Sequence, residues 1–220
     1  MAAITPTDLC NIALLKVSGA KTTTGALFIT SITGTQKLEL AFAKVYPFAR
    51  REALARADWD FASMYLDLGT ELATTDLVEA ADWQYQFALP DAQGVDYPFI
   101  RLIHQTDETD RSVTYDCEVL PNADDDGFIL ATNTYSNEDG DGAFVKYIWD
   151  NDVPDMYSPL FIEAFTTLLA SKIAPFIKTD QEAVRLKQIY EGMDLSNASG
   201  YEQRREYKKP HKTWFDKRTA

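Results

Sequence analysis

The sequence predicts an α+β fold: a helical bundle formed by the N- and C-terminal helices, with a small antiparallel β domain inserted and an extended C-terminal arm. Three observations predict it. Apolar residues recur at helical spacing near both ends of the chain. The middle holds short β-branched or aromatic runs separated by polar, Gly-containing turns. After Gly200 the chain turns basic and loses its periodicity.

The first helix is marked by Thr5 as a cap, Pro6 at the first helical position and Asp8 in the first turn. Leu9, Ile12, Ala13 and Leu15 to Val17 supply its apolar stripe, which ends at Ser18-Gly19. A Thr/Gly-rich connection leads to a long helix from Thr35, with Leu38, Ala41, Phe42, Val45, Tyr46, Ala49 and Ala53 on one side. Pro47 is expected to kink or divide it, because proline removes a backbone donor and crowds the preceding turn. Trp59 and Phe61 close the run and read as large buried anchors.

Five strand-like runs follow: residues 84–90, 99–104, 112–120, 128–132 and 143–149. Val113, Tyr115, Cys117 and Val119 alternate, as in a strand with one packed face and one wet face. A sheet, sandwich or partial barrel of about five strands is expected. Helices resume at Ser158-Pro159, with Phe161, Phe165, Leu168 and Leu169 as the apolar seam and an interruption expected at Ala174-Pro175. Thr179 with Glu182 reads as a capping box for a last helix carrying Ala183, Leu186, Tyr190 and Met193 on one side. The division expected is therefore 1–68 and 156–198 for the helical bundle, 82–152 for the β insertion and 199–220 for the arm.

Charge is the second guide. The 220 residues carry a net charge of −13, distributed unevenly. Asp58 to Asp155 holds 23 acidic and 3 basic residues, whereas Gln203 to the end holds 7 basic and 2 acidic. An acidic body disfavours wrapping nucleic acid, since phosphates are bound by cations that replace counterions. It suits a surface past which DNA slides, and equally a plain solubilising role. No signal peptide is read at the N-terminus and no apolar run is read as a membrane span, so the chain is expected in the cytoplasm when made.

Few residues offer chemistry. Cys10 and Cys117 match no metal spacing and read as small packed thiols; His104 and His211 are too few for a histidine site. Two segments, Asn122 to Gly127 and Asn137 to Gly142, match the first half of a calcium loop, with Asp124, Asp126, Asp139 and Asp141 as weak ligand candidates. The closing glutamate is missing from both, since Asn133 and Ile148 stand there. Asn, Asp and Gly are also what hairpin turns select, so turns are expected and a weak Ca²⁺ or Mg²⁺ site stays open. No nucleophile-elbow, phosphate-loop, dinucleotide or metalloprotease motif occurs, and no cofactor is expected. With 34 acids, paired carboxylates for a glycan hydrolase carried in a particle remain the alternative enzyme reading.

In the arm, Arg204, Arg205, Tyr207, Lys208, Lys209, Trp214 and Phe215 interleave cations with aromatics. This is the composition of interface anchors, so docking on an acidic partner is expected ahead of an unstructured tail or nucleic-acid contact.

The order of pieces resembles a known family. Residues 43–54 run into Ala57-Asp58-Trp59-Asp60-Phe61-Ala62, followed by Trp83 to Pro90, Arg101-Leu102-Ile103 and Val145 to Ile148. Asp155 to Phe161, a helix end over residues 168–177 and Thr179-Asp180 complete it. This pattern of packing residues, over about residues 5–198, is similar to the head-to-tail adaptors (tubular tail protein A, or tail accessory factors) of short-tailed bacteriophages. The acidic turn Asp124 to Gly127 is particular to this chain, and residues after Gly200 carry no fixed motif of that group. The resemblance implies a non-enzymatic virion protein at the head–tail junction, made in the host cytoplasm. It also implies a homo-oligomeric ring of about twelve subunits. Such a ring binds the portal protein on one side and a downstream tail or nozzle protein on the other. DNA passes through its lumen without sequence-specific binding, and no membrane is involved.

Overall fold

A computed structural model describes residues 3–18, 28–69, 71–72, 83–90, 97–122 and 127–194. It is a mixed α+β fold of two compact units. Met1–Phe61 and Val153–Ala220 form a helical unit from both ends of the chain, and Ala62–Asp152 form a β unit.

The helical unit contains α1 (Pro6–Ser18), α2 (Lys37–Ala55), α3 (Pro159–Ile177) and α4 (Asp180–Ile189), the last continued by a π turn, Tyr190–Asp194. The start of α1 follows its sequence: the Thr5 hydroxyl accepts from Asp8 N–H, and Asp8 Oδ2 accepts from Thr5 N–H and Oγ1–H. α3 is the hub, packed by α1, α2 and α4. It is long and apolar enough to cross a membrane by length and composition, contrary to the sequence reading. Eleven of its 19 residues are buried within the protein, so the apolar content serves as core. Its buried hydroxyls are satisfied on the helix itself: Thr166 donates to Ile162 O, Thr167 to Glu163 O and Ser171 to Leu168 O. Trp59, Phe61, Tyr157, Phe161 and Phe165 form a continuous aromatic cluster, with Phe161 in contact with the other four.

Three local expectations are corrected. α2 is not divided at Pro47, because Pro47 and Ala43, whose carbonyl loses its partner, both lie on its exposed face, where water can replace the lost bond. α3 continues two residues past Pro175, which sits in its last turn. The Thr179 side chain makes no cap bond: Glu182 N–H donates to Thr179 O at 3.1 Å, and the Glu182 carboxylate is engaged by Arg185 at 2.6 and 3.0 Å.

The working capping box is instead Gln36–Glu39 at the start of α2. Glu39 is 2% exposed, and its carboxylate accepts from the N–H groups of Gln36, Thr30 and Ser31 and from the Thr30 hydroxyl. Hydrogen bonds, that of Gln36 N–H foremost, hold its pKa below the ordinary 4.5 against the opposing effect of burial. A Cβ on Gly34 would overlap this carboxylate, so a side chain there would have to displace it from its hydrogen bonds. A carboxyl with a depressed folded-state pKa stabilises above its unfolded value and loses that contribution as pH falls through the folded value. Urea midpoints of wild type and Glu39→Gln should therefore differ clearly at pH 7, wild type being higher, and converge below pH 4.5. An equal gap at pH 7 and in acid would contradict this assignment.

The β unit holds β1 (Ser63–Asp67), β2 (Tyr85–Ala88), β3 (Phe99–Thr106), β4 (Thr114–Tyr115), β5 (Cys117–Pro121), β6 (Phe128–Thr132) and β7 (Phe144–Trp149). They form two antiparallel sheets, ordered β1-β7-β3-β4 and β2-β6-β5. Each of the five anticipated runs supplies strand residues, and the 112–120 run supplies two strands. β1 departs from the expected division: residues 63–67, expected in the helical part, pair with β7. Met64 and Leu66 alternate toward the core and Tyr65 and Asp67 away from it, as a strand edge requires. The sheets share one core, in which Phe87, Leu130, Val145 and Tyr147 are buried among Met64, Leu66, Leu102, Val119 and Tyr135. This is a small sandwich.

Candidate functional site

The charge asymmetry follows the structural division. The β unit carries 20 carboxylates and 3 cations, a net of −17. The helical unit has 14 acids and 18 basic residues, and is neutral once residues 199–220 are set aside. The chain thus consists of a neutral helical unit, an acidic sandwich and a basic terminal segment.

Many of the acidic groups at one end of the sandwich are occupied in shaping turns. In the β3–β4 connection, Asp107 Oδ1 accepts from Thr109 Oγ1–H, Thr109 N–H and Asp110 N–H, and Oδ2 accepts from Tyr115 Oη–H. These bonds, led by the Thr109 hydroxyl, hold its pKa down at about 2. Asp110 accepts from Ser112 N–H and Oγ–H. Glu108 reaches the neighbouring turn and accepts from Glu138 N–H at 2.8 Å.

That second turn is one of the two candidate calcium loops. Its centre is filled by Asn137, a residue the sequence reading did not single out as organising it. Asn137 Oδ1 accepts from the N–H groups of Gly140, Asp141 and Gly142, and Nδ2 donates to Asp141 Oδ1 and Asp67 Oδ2. Gly140 has φ +74°, and a Cβ on Gly142 would overlap Asn137 Nδ2 and Gly69 O. The turn is built as a hairpin closure, with the first ligand position of a calcium loop spent on backbone amides. Asp139 and Asp141 lie here, and among the described residues no group of three or more His, Cys, Asp or Glu side chains is placed to hold a metal ion. Asp124 and Asp126 fall outside the described residues.

Asp8, Glu39, Asp107 and Glu182 each have their pKa displaced downward. A general acid for glycan hydrolysis needs the opposite displacement. Cys10 is fully buried and its thiol is pushed up to about 12 by that burial; Cys117 is half-buried with its thiol also raised, chiefly by burial. Neither environment activates a nucleophile.

The arm residues Arg204, Arg205, Tyr207, Lys208, Lys209, Trp214 and Phe215, together with His211, lie outside the described residues. The structure adds a surface that the sequence reading overlooked: Leu40, Phe48 and Phe176 are exposed large apolar residues on the helical unit. Leu40 and Phe48 stand off the buried stripe of α2, which was the available signal. Comparison with known proteins yields no matching family model and no matching curated protein.

Proposed function

We propose that this chain is a structural assembly protein, a head-to-tail adaptor of a short-tailed bacteriophage. It forms a ring of about twelve subunits between the portal and the tail or nozzle protein. The observation that carries this reading is the architecture: helices from both chain ends build one unit, and a small antiparallel sandwich is inserted between them. That arrangement is what the resemblance implies. Charge supports the same reading. A lumen lined by the acidic unit would repel phosphates and let DNA pass without holding it. A basic, aromatic arm would be drawn to an acidic partner and then anchored by Trp214 and Phe215. The reading as a glycan hydrolase gains nothing from Asp8, Glu39, Asp107 and Glu182, whose displacements favour the ionised form.

The first test is the mass and symmetry of the purified protein, alone and mixed with a portal; a chain that stays monomeric and never binds a portal would overturn the proposal. The second is deletion of residues 201–220. The truncated chain should melt as the full chain does while attaching to the portal at least tenfold more weakly. Attachment at full strength would remove the arm from the mechanism.

A further inference from the structure

The helical unit leaves an apolar groove open. On α2, Leu40, Lys44 and Phe48 follow at four-residue steps and share one stripe. Phe176, in the last turn of α3, borders the same groove. Leu40 is 50%, Phe176 61% and Phe48 72% exposed. The groove measures about 560 Å³ against Leu40, Ala41, Val45 and Phe176, and a recess of about 230 Å³ adjoins it at Leu38 and Ile177. Single exposed apolar side chains are ordinary, but a contiguous set rimmed by charge marks a contact surface. The charged residues lining it are Lys37 and Lys44, both cations.

Those cations select the occupant. Two copies meeting groove to groove would set lysine against lysine, which costs affinity. Residues 199–220 carry a net charge of +4 and would meet the same repulsion. The rest of the helical unit is neutral and offers no net attraction. The β unit, at −17, is the complementary part of the chain, and it also exposes the apolar side chains Tyr97, Val113 and Phe128. We infer that this groove receives the acidic β unit of a second copy of the chain. The contact is heterologous, so each subunit keeps one groove and one β unit to offer and the association propagates until it closes. This inference rests on the ring proposed above and names the surface through which neighbours in it join.

The test uses the full chain with a photo-crosslinking residue at position 48, and separately the double variant Lys37→Glu with Lys44→Glu. Crosslinked oligomers should yield peptides joining position 48 to residues 62–152 of another copy. The double variant, with an unchanged melting curve, should associate at least tenfold more weakly by sedimentation, and wild-type association should weaken as salt rises. Crosslinks to the helical unit or to residues 199–220, or an unchanged mass in the double variant, overturn the groove assignment while a wild-type ring leaves the adaptor reading standing. A wild type that remains monomeric alone and with a portal overturns both.

Discussion

Trp59→Ala is expected to destabilise the helical unit by about 3–5 kcal/mol, the usual cost of emptying a buried indole site. Trp59 is fully buried, edge-on to Phe161 at 5.0 Å and tilted against Phe61 at 6.2 Å. Its Nε1–H donates to Ala53 O at 2.9 Å, near the C-terminal end of α2. Arg56 N–H donates to the same carbonyl. Alanine would therefore remove the ring packing and one of two bonds that close the helix, and leave a cavity beside the aromatic cluster. Trp59→Phe separates these contributions: it keeps most of the ring contact and loses the donor, for a cost of about 1 kcal/mol. Thermal unfolding of both variants checks the ordering, with the alanine variant falling by on the order of 10 °C. Phe48→Ala, at an exposed position on α2, should stay within about 0.5 kcal/mol of wild type. Similar losses at Trp59 and Phe48 would show that the aromatic cluster does not hold the unit together.

How far the sequence disclosed this fold depends on which signals have a local cause. α1 and α2 were readable as helices because each buries one face and leaves the other wet, giving a 3.6-residue period, although in α1 Leu14 is buried and Leu15, expected on the stripe, is exposed. α3 was readable as a helix, but its burial by three neighbours was not, since a helix surrounded on several sides has no clean stripe. Pro47 misled because its cost depends on which face of the helix it occupies, and that face is set by tertiary packing. The Thr179–Glu182 pair has the spacing of a capping box, yet Arg185 stands three residues beyond Glu182 and competes for the same carboxylate. β1 was hidden because it starts directly after a 3₁₀ turn, with no polar or glycine turn residue to separate it from the Trp59 and Phe61 anchors. In the acidic turns composition gave the location and left the wiring open. Only the fold shows that Asn137 spends its carbonyl on three amides instead of a cation. The exposed apolar groove had a signal in Leu40 and Phe48, which stand off the stripe of α2, but that Phe176 of α3 lies beside Leu40 is set by tertiary packing.

Within the β unit the largest single effect is expected at Gln105. Its side chain is fully buried and joins the two sheets: Oε1 accepts from Thr132 Oγ1–H at 2.7 Å, and Nε2 donates to Thr134 O at 2.8 Å and Ser136 Oγ at 2.9 Å. β3 belongs to one sheet, and Thr132 ends β6 in the other. A buried amide in a sandwich core is tolerable only when its polar atoms are matched, and here both ends are. Gln105→Leu keeps the volume but deprives three groups of a partner. Thr132 still reaches Asp116 O at 3.2 Å and Ser136 still bonds Phe144 N–H, so the loss falls most heavily on Thr134 O. The expected cost is about 2–3 kcal/mol, since an orphaned buried polar group costs more than a made bond contributes. Thr132→Val should cost about 1–2 kcal/mol, and the double variant less than the sum, because both changes break the same 2.7 Å bond. Hydrogen exchange should report faster opening of amides in β3 and β6 together, as expected if one side chain holds the sheets in register. Additive energies, or faster exchange confined to β3, would mean that apolar packing aligns the two sheets and that Gln105 merely occupies a site in it.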